Sequence, residues 1–343
     1  MKKSVSQPLI SVGIPLYDTE PFLAGCLRSV IVQDFKSFEI LIISDASRGR
    51  DEKGRSGKKI AGLMQKECDK IRKEKKLPPV SLRFLEHSEN RGLVEVRRSL
   101  SYEARGLFIT QLDSDDEMEE GALSALYTAA TNGEKVFDIV HGKSRAGTFD
   151  SQGNFLPAAE NRNGNIFVGE IAGRDVFRRW LLKGDFTANT WGKLIKRDLW
   201  LRAYENIPYT YCNLADDLLV FFFIAQYASS YKGIEIPVYR YRVDSGMSSF
   251  RKIDSLDRWK MLCSAASVFS VIGMWLENHN ELEEDEKKAV LSMPASYLKN
   301  NLMQLYQSVI PELQPEAREM LCDYWGRHFV DTVEKNMLFS KSL

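Results

Sequence analysis

The stretch "QLDSDDEMEEG", residues 111–121, sets Asp113, Asp115 and Asp116 within four positions directly after the apolar run "GLFITQL". Two chemistries suit such a cluster. It can open a helix, with Ser114 or Asp116 as the cap and acidic groups beside the unpaired first-turn amides. It can also hold a hard divalent cation, Mg2+ or Mn2+, whose charge offsets the mutual repulsion of the carboxylates and which accepts further oxygen ligands from an anionic substrate. Asp113 and Asp115 are two apart, so an extended backbone turns both to one side. A second acidic pair, Asp216 and Asp217, meets the apolar run "LLVFFFIA" in "NLADDLLVFFF". There it serves either as the first-turn acids of a helix or as a partly buried general base.

The elements around these residues alternate in type. "LISVGI" (9–14), "FEILIIS" (38–44), "VSLRFLE" (80–86) and "GLFITQL" (106–112) read as strands. Between the first two, Phe22, Leu23, Cys26, Leu27, Val30 and Ile31 keep helical spacing, as do Ile60, Leu63, Met64, Cys68 and Ile71 between the second and third. Residues 93–104 read as a short helix. Strands alternating with helices, apolar on both faces, predict a parallel sheet covered on two sides, with ligands beyond the carboxyl ends of the strands. The first strand exits into "PLYD", the second into "SDAS" and the fourth into "DSDD". Pro15, Tyr17 and Asp45 should therefore converge with the aspartate cluster, although Tyr17 alone reads as a surface aromatic and Asp45 alone as a turn former.

Composition bounds the alternatives. The 343 residues are 44% apolar, and Lys plus Arg balances Asp plus Glu at 47 each. That is ample for a packed core and gives no whole-chain footprint for nucleic acid. Five scattered cysteines without CxxC spacing suggest neither a disulfide framework nor a zinc site, and a reducing, cytoplasmic setting fits them. The start "MKKSVSQPLISVGIP" lacks a signal-peptide core, and the run "LLVFFFIA" is too short to span a bilayer. Residues 48–76 carry twelve Lys and Arg against five Asp and Glu. This is either the solvated face of a crossover helix or a surface for peripheral contact with an anionic membrane. Beyond residue 255 the chain reads as helices, with "NELEEDEKK" an exposed acidic turn.

"ISVGIPLYDTEPFLAGCLRSVIVQDFKSFEILIISDAS" and "ENRGLVEVRRSLSYEARGLFITQLDSDDEMEEGAL" resemble, in that order, the opening and the DxD-containing segment of family 2 glycosyltransferases. The resemblance continues through "TWGKLIKRDLW", "LADDLLVFFF" and "IPVYRYRVDSGMSS". It implies an α/β protein of GT-A fold: a Rossmann-like, mostly parallel central sheet flanked by helices. The implied catalytic domain is residues 1–250, followed by a C-terminal helical extension over 251–343. The implied activity is metal-dependent, inverting transfer of a sugar from a nucleotide diphosphate, expected to be a UDP-sugar, to a hydroxyl of a glycan or lipid-linked glycan at the inner face of the cell membrane.

Carried onto this sequence, the resemblance makes Asp115 the metal ligand, with Asp116 as the adjacent alternative and Asp113 on the ribose or the outer shell of the metal. Asp45 and the backbone of Pro15 to Tyr17 would hold the base. Arg97 would touch base or phosphate, its alternative being a helix-surface salt bridge. Asp217 would be the general base, Asp216 its helix-capping neighbour, and Trp191 with Lys193 the acceptor-side wall. Departures from the family pattern are Asp18 for asparagine, Ser44 for the first of two aspartates, Arg98 for asparagine and Asp216 for glutamate. Arg242 and Asp244 stand where a histidine is common. A nucleotidyltransferase would want a glycine-rich phosphate loop after the first strand, and a dinucleotide oxidoreductase GxGxxG; "PLYDTEPF" is neither. A catalytically inactive sugar-nucleotide-binding or scaffold protein of the same fold is the non-enzyme alternative.

Overall fold

The computed structural model describes residues 7–339, apart from 134, 151, 159–163 and 246–251. The first six residues of the start read above, and Gly246–Ser249 of the last family-like stretch, lie outside the described residues.

Four strands and three helices form in the predicted order: β1 (Ile10–Leu16), α1 (Glu20–Ile31), β2 (Phe38–Ser44), α2 (Gly57–Glu74), β3 (Ser81–Glu86), α3 (Leu93–Glu103) and β4 (Phe108–Gln111). Every residue of β1, β2 and β4 is buried, as their unbroken apolar runs require. β3 is the sheet edge and is only half-buried. All four strands are parallel, so their carboxyl ends open on one side.

The middle of the chain supplies β5 (Glu117–Met118), α4 (Ala122–Thr131), β6 (Ile139–Phe149), β7 (Phe155–Pro157), β8 (Gly169–Ala172), α5 (Asp175–Arg178), β9 (Lys193–Lys196), α6 (Arg197–Glu205), α7 (Asp216–Tyr227) and β10 (Ser230–Arg242). The strand order is β3-β2-β1-β4-β9-β6-β10-β5, with β7 on β6 and β8 on β10. Here the sheet ceases to be parallel: β9 runs antiparallel to both β4 and β6. The chain reaches β9 from the carboxyl-end side, so the strand must run away from it. No helix opens at Ser114 or Asp116. That segment makes a tight turn, Asp116 N to Asp113 O at 3.0 Å, and passes into β5 before α4 begins at Ala122.

Among the described residues five α-helices follow: α8 (Leu256–Cys263), α9 (Ala265–Asn278), α10 (Glu284–Gln307), α11 (Gln314–Trp325) and α12 (Arg327–Phe339). Val268, Ile272 and Trp275 of α9 pack into one core with Phe222 and Phe223 of α7, whereas Trp259, Leu298 and Leu321 centre a separate cluster. The stretch Leu256–Asn278 is long and apolar enough to cross a membrane, yet 56% of its most apolar window is buried inside the protein. The acidic stretch read as an exposed turn runs into the first turn of α10 and is not all exposed. Glu286 is fully buried and paired with Arg174 at 2.7 Å and Arg178 at 3.4 Å, which latches α10 to α5. The basic segment also divides: Lys58, Lys59, Lys66, Lys70 and Lys73 are exposed on α2, but Arg72 turns inward to the carbonyls of Gln33 and Phe35 and covers the Phe38 ring.

Candidate active site

A cavity of about 620 Å³ opens at the carboxyl ends of the parallel strands. Its lining includes Pro15, Tyr17, Asp45, Arg97, Asp113, Asp115, Asp116, Trp191, Asp216 and Asp217. Residues up to 202 positions apart in sequence thus meet in one place. Lys193 and Arg242 are not in the lining.

On one side, Asp45 follows β2 and is 2% exposed. Its carboxylate accepts from the amides of Arg91 (3.0 Å) and Gly92 (2.9 Å) and from His87 Nδ1 (2.7 Å). An acceptor-only partner fixes the ring hydrogen on Nδ1, so in the neutral ring Nε2 accepts from Ser99 Oγ at 2.8 Å. Gly92 has φ +86°, and a Cβ there would lie 3.2 Å from the Cys212 nitrogen, so the turn into α3 needs glycine. That turn is joined to the loop before α7 by Leu93 N, which donates to Cys212 O (3.1 Å) and Asn213 Oδ1 (3.2 Å).

The turn after β4 sorts its three aspartates by partner. Asp116 is buried; Tyr239 Oη donates to one carboxylate oxygen and the Arg242 amide to the other, each at 2.7 Å. With one donor on each oxygen, Asp116 ties β10 to the turn. Burial and the charges of Asp115 and Asp113 push its pKa well up. Arg242 Nε donates to the Asp115 carbonyl (2.9 Å), and its guanidinium lies between the rings of Phe22 and Phe149, so Arg242 braces the turn from behind. No described residue donates a hydrogen bond to the Asp115 carboxylate.

Arg97 links the two halves. It is 2% exposed, which excludes a helix-surface salt bridge. Its guanidinium lies 3.2 Å from Asp113 and 3.0 Å from Asp216, and Nη1 donates to Asp217 Oδ1 and to Thr190 Oγ1. Both Nη1 hydrogens and one on Nη2 thus go to protein partners, while Arg97 also lines the cavity. The Asp216 contact is an ion pair without good hydrogen-bond direction, since Arg97 Nε and Asp216 Oδ2 both lack a directed partner. Burial, partly offset by Arg97, and repulsion from Asp217 push Asp113 up to about 7 and Asp216 to about 6. Asp217 occupies the first turn of α7, as the helix reading expected, and also lines the cavity.

Trp191 stacks on Tyr239 at 4.7 Å and Tyr241 at 5.6 Å, and presents a face to the cavity. Lys193 is not part of that wall. It is fully buried over the Phe221 ring, donates to the Asn189 carbonyl, and burial lowers its pKa to about 7. Sequence reasoning missed His87, Thr190, Asn213 and Tyr239. His87 follows the third strand, and the exit rule applied to that strand would have found it. Nothing local marks Thr190 or Tyr239, whose roles come from partners 27 and 123 residues away.

A family model described as Glycosyl transferase family 2 matches residues 11–183. The glycosyltransferase GlyG of Streptococcus pneumoniae serotype 4 is 27% identical over 198 residues, 56% of this chain and 58% of that protein. The GalNAc(5)-diNAcBac-PP-undecaprenol beta-1,3-glucosyltransferase of Campylobacter jejuni is 32% identical over 126 residues, 37% of this chain and 36% of that protein. The chain therefore spans less than two thirds of either relative. Among solved structures, the mannosyltransferase PcManGT from Pyrobaculum calidifontis, in complex with GDP-Man and Mn2+, superposes with a TM-score of 0.52 at 14% identity. That match covers 98% of this chain and 81% of PcManGT, and it is a likeness of fold.

Proposed function

The chain belongs to glycosyl transferase family 2, and from that premise we propose that it moves a sugar from a nucleotide diphosphate donor, with UDP as the expected nucleotide, to a hydroxyl of a glycan or lipid-linked glycan. The observation that carries this reading is one cavity with Asp115 on one side and Asp217 on the other, bridged through Asp113 and Arg97.

Among the described residues no three His, Cys, Asp or Glu side chains group to enclose a metal ion. Mg2+ or Mn2+ takes one or two carboxylates together with phosphate and water. The carboxylate of Asp115, to which no described residue donates, and that of Asp113, to which Arg97 is the one described donor, are oxygen donors of the right kind. A cation there would offset the negative charge that develops on the leaving diphosphate. For the base, Asp45 accepts from three groups and a carboxylate has about four acceptor positions, which leaves one for the uracil N3–H. Tyr17 and Pro15 line the same side.

Asp217 removes the proton of the acceptor hydroxyl as it attacks the anomeric carbon. Asp216 is 6% exposed and turned to Arg97, so it is poorly placed as a second nucleophile, and a single displacement inverts the anomeric configuration. Trp191 offers an apolar face to an acceptor sugar. The undecaprenol-linked substrate in the name of the Campylobacter relative and the exposed lysines of α2 favour work beside an anionic membrane surface.

Calorimetry tests the donor side. UDP should bind with Mg2+ or Mn2+ present, in preference to GDP and ADP, and Asp115→Ala should weaken it about tenfold or more, a loss of about 1.4 kcal/mol. Equally tight, metal-free UDP binding by that variant would contradict the assignment.

A further inference from the structure

Thr190 is wholly buried, and its hydroxyl stands between the two most interactive groups of the site. Arg97 Nη1 donates to Thr190 Oγ1, and Thr190 Oγ1 lies 2.7 Å from Asp217 Oδ1. A guanidinium has donors and no acceptor. The Thr190 oxygen must therefore accept from Arg97, and its one hydrogen is committed to Asp217. Oδ1 consequently receives two donors, from Thr190 and from Arg97 directly. No described residue donates to Oδ2, and the side chain is 23% exposed.

The segment carrying Thr190 is itself held on several sides. Trp191 bridges to Gln111 at the end of β4, Gly142 N donates to Gly192 O at 3.0 Å, Asn189 Nδ2 donates to Trp191 O at 2.9 Å, and Lys193 anchors the Asn189 carbonyl. The hydroxyl is thus fixed to the sheet and not to a loose loop.

We propose that Thr190, oriented by Arg97, is a positioning residue that occupies one oxygen of Asp217 and so presents the other, Oδ2, to the acceptor hydroxyl. Oδ2 takes the proton as the hydroxyl oxygen bonds to the anomeric carbon and the diphosphate leaves with the electrons of its bond. Arg97 stays protonated: burial opposes its charge, but Asp216, Asp217 and Asp113 together raise its pKa. The inference rests on Asp217 as the base, and it adds a residue that touches no substrate.

The test compares Thr190→Val and Thr190→Ala, which lack the hydroxyl, with Thr190→Ser, which keeps it. In sugar transfer, kcat should fall about 10- to 100-fold in the first two, since a base misplaced by about 1 Å costs that much. The acceptor KM and UDP affinity should change little, and Thr190→Ser should recover most of the rate. Wild-type kcat in either hydroxyl-free variant that folds, or failure of Thr190→Ser to recover, overturns the proposal. A fall in melting temperature shared by all three without the kcat split also overturns it, because that is a packing role. Asp217→Asn separates the two readings: normal turnover there removes the base assignment and the inference together, whereas loss of turnover there with normal turnover in Thr190→Val removes the inference alone.

Discussion

Aspartate is put to several uses within this one site, and the difference lies in partners. Asp45 clamps two amides and a histidine, Asp116 straps β10 to a turn, Asp113 and Asp216 share a buried guanidinium, and Asp217 lines the cavity while its Oδ1 accepts from Thr190 and Arg97. Strand-exit position made Asp45, Asp113 and Asp116 legible in the sequence, and the acidic pair before an apolar run did the same for Asp216 and Asp217. Which one is a strut and which is open to ligand was not legible, because Tyr239 and Arg242 come from a strand more than 120 residues away. The raised pKa of Asp216 gives a prediction with a definite sign. Its folded value, about 6, lies above the ordinary 3.8, so the folded protein holds more protons between those limits. The contribution to stability is full below about pH 4 and is lost as pH rises through about 6. In thermal unfolding, Asp216→Asn should therefore gain on wild type as pH is raised from about 4 to about 7. A melting-temperature difference constant over that range would contradict the shift.

Continuous apolar runs made β1, β2 and β4 readable, and helical spacing did the same for α1 and α2. Beyond β4 the elements were less legible. β9 is four residues long with polar ends, and its antiparallel direction depends on where the preceding loop leaves the chain. The acidic stretch that opens α10 read as solvent-facing because its composition is polar, yet Arg174 and Arg178, more than 100 residues earlier, draw Glu286 into a buried pair. Removing one partner of such a pair leaves an uncompensated buried charge, at a cost of about 3 to 5 kcal/mol. Denaturant unfolding should show the double variant Arg174→Ala with Arg178→Ala, which strands the buried Glu286, destabilised on that scale, whereas a loss below about 0.5 kcal/mol would mean that the latch is a surface ion pair. Ser264, between α8 and α9, accepts from the Asn213 amide at 3.0 Å, and Met261 of α8 lines the cavity. The C-terminal helices therefore form a wall of the site and hold the loop that leads to Asp217.

Seen whole, the molecule is two half-sites joined by a buried charge cluster. The parallel strands bring the Asp45 and Asp113–Asp115 side, and the chain beyond β4 brings Thr190, Trp191 and Asp217. The family match ends at residue 183, so the second half-site lies in the part of the chain that the match leaves uncovered. The central claim is that chemistry occurs between these halves with Asp217 as the base. Its most direct test is the rate of sugar transfer by Asp217→Asn, with Asp216→Asn as control and UDP affinity measured in parallel. Asp217→Asn should bind UDP as the wild type does and lose about 10²- to 10⁴-fold in turnover, with a smaller effect in the control. Turnover by Asp217→Asn at the wild-type rate would contradict that claim.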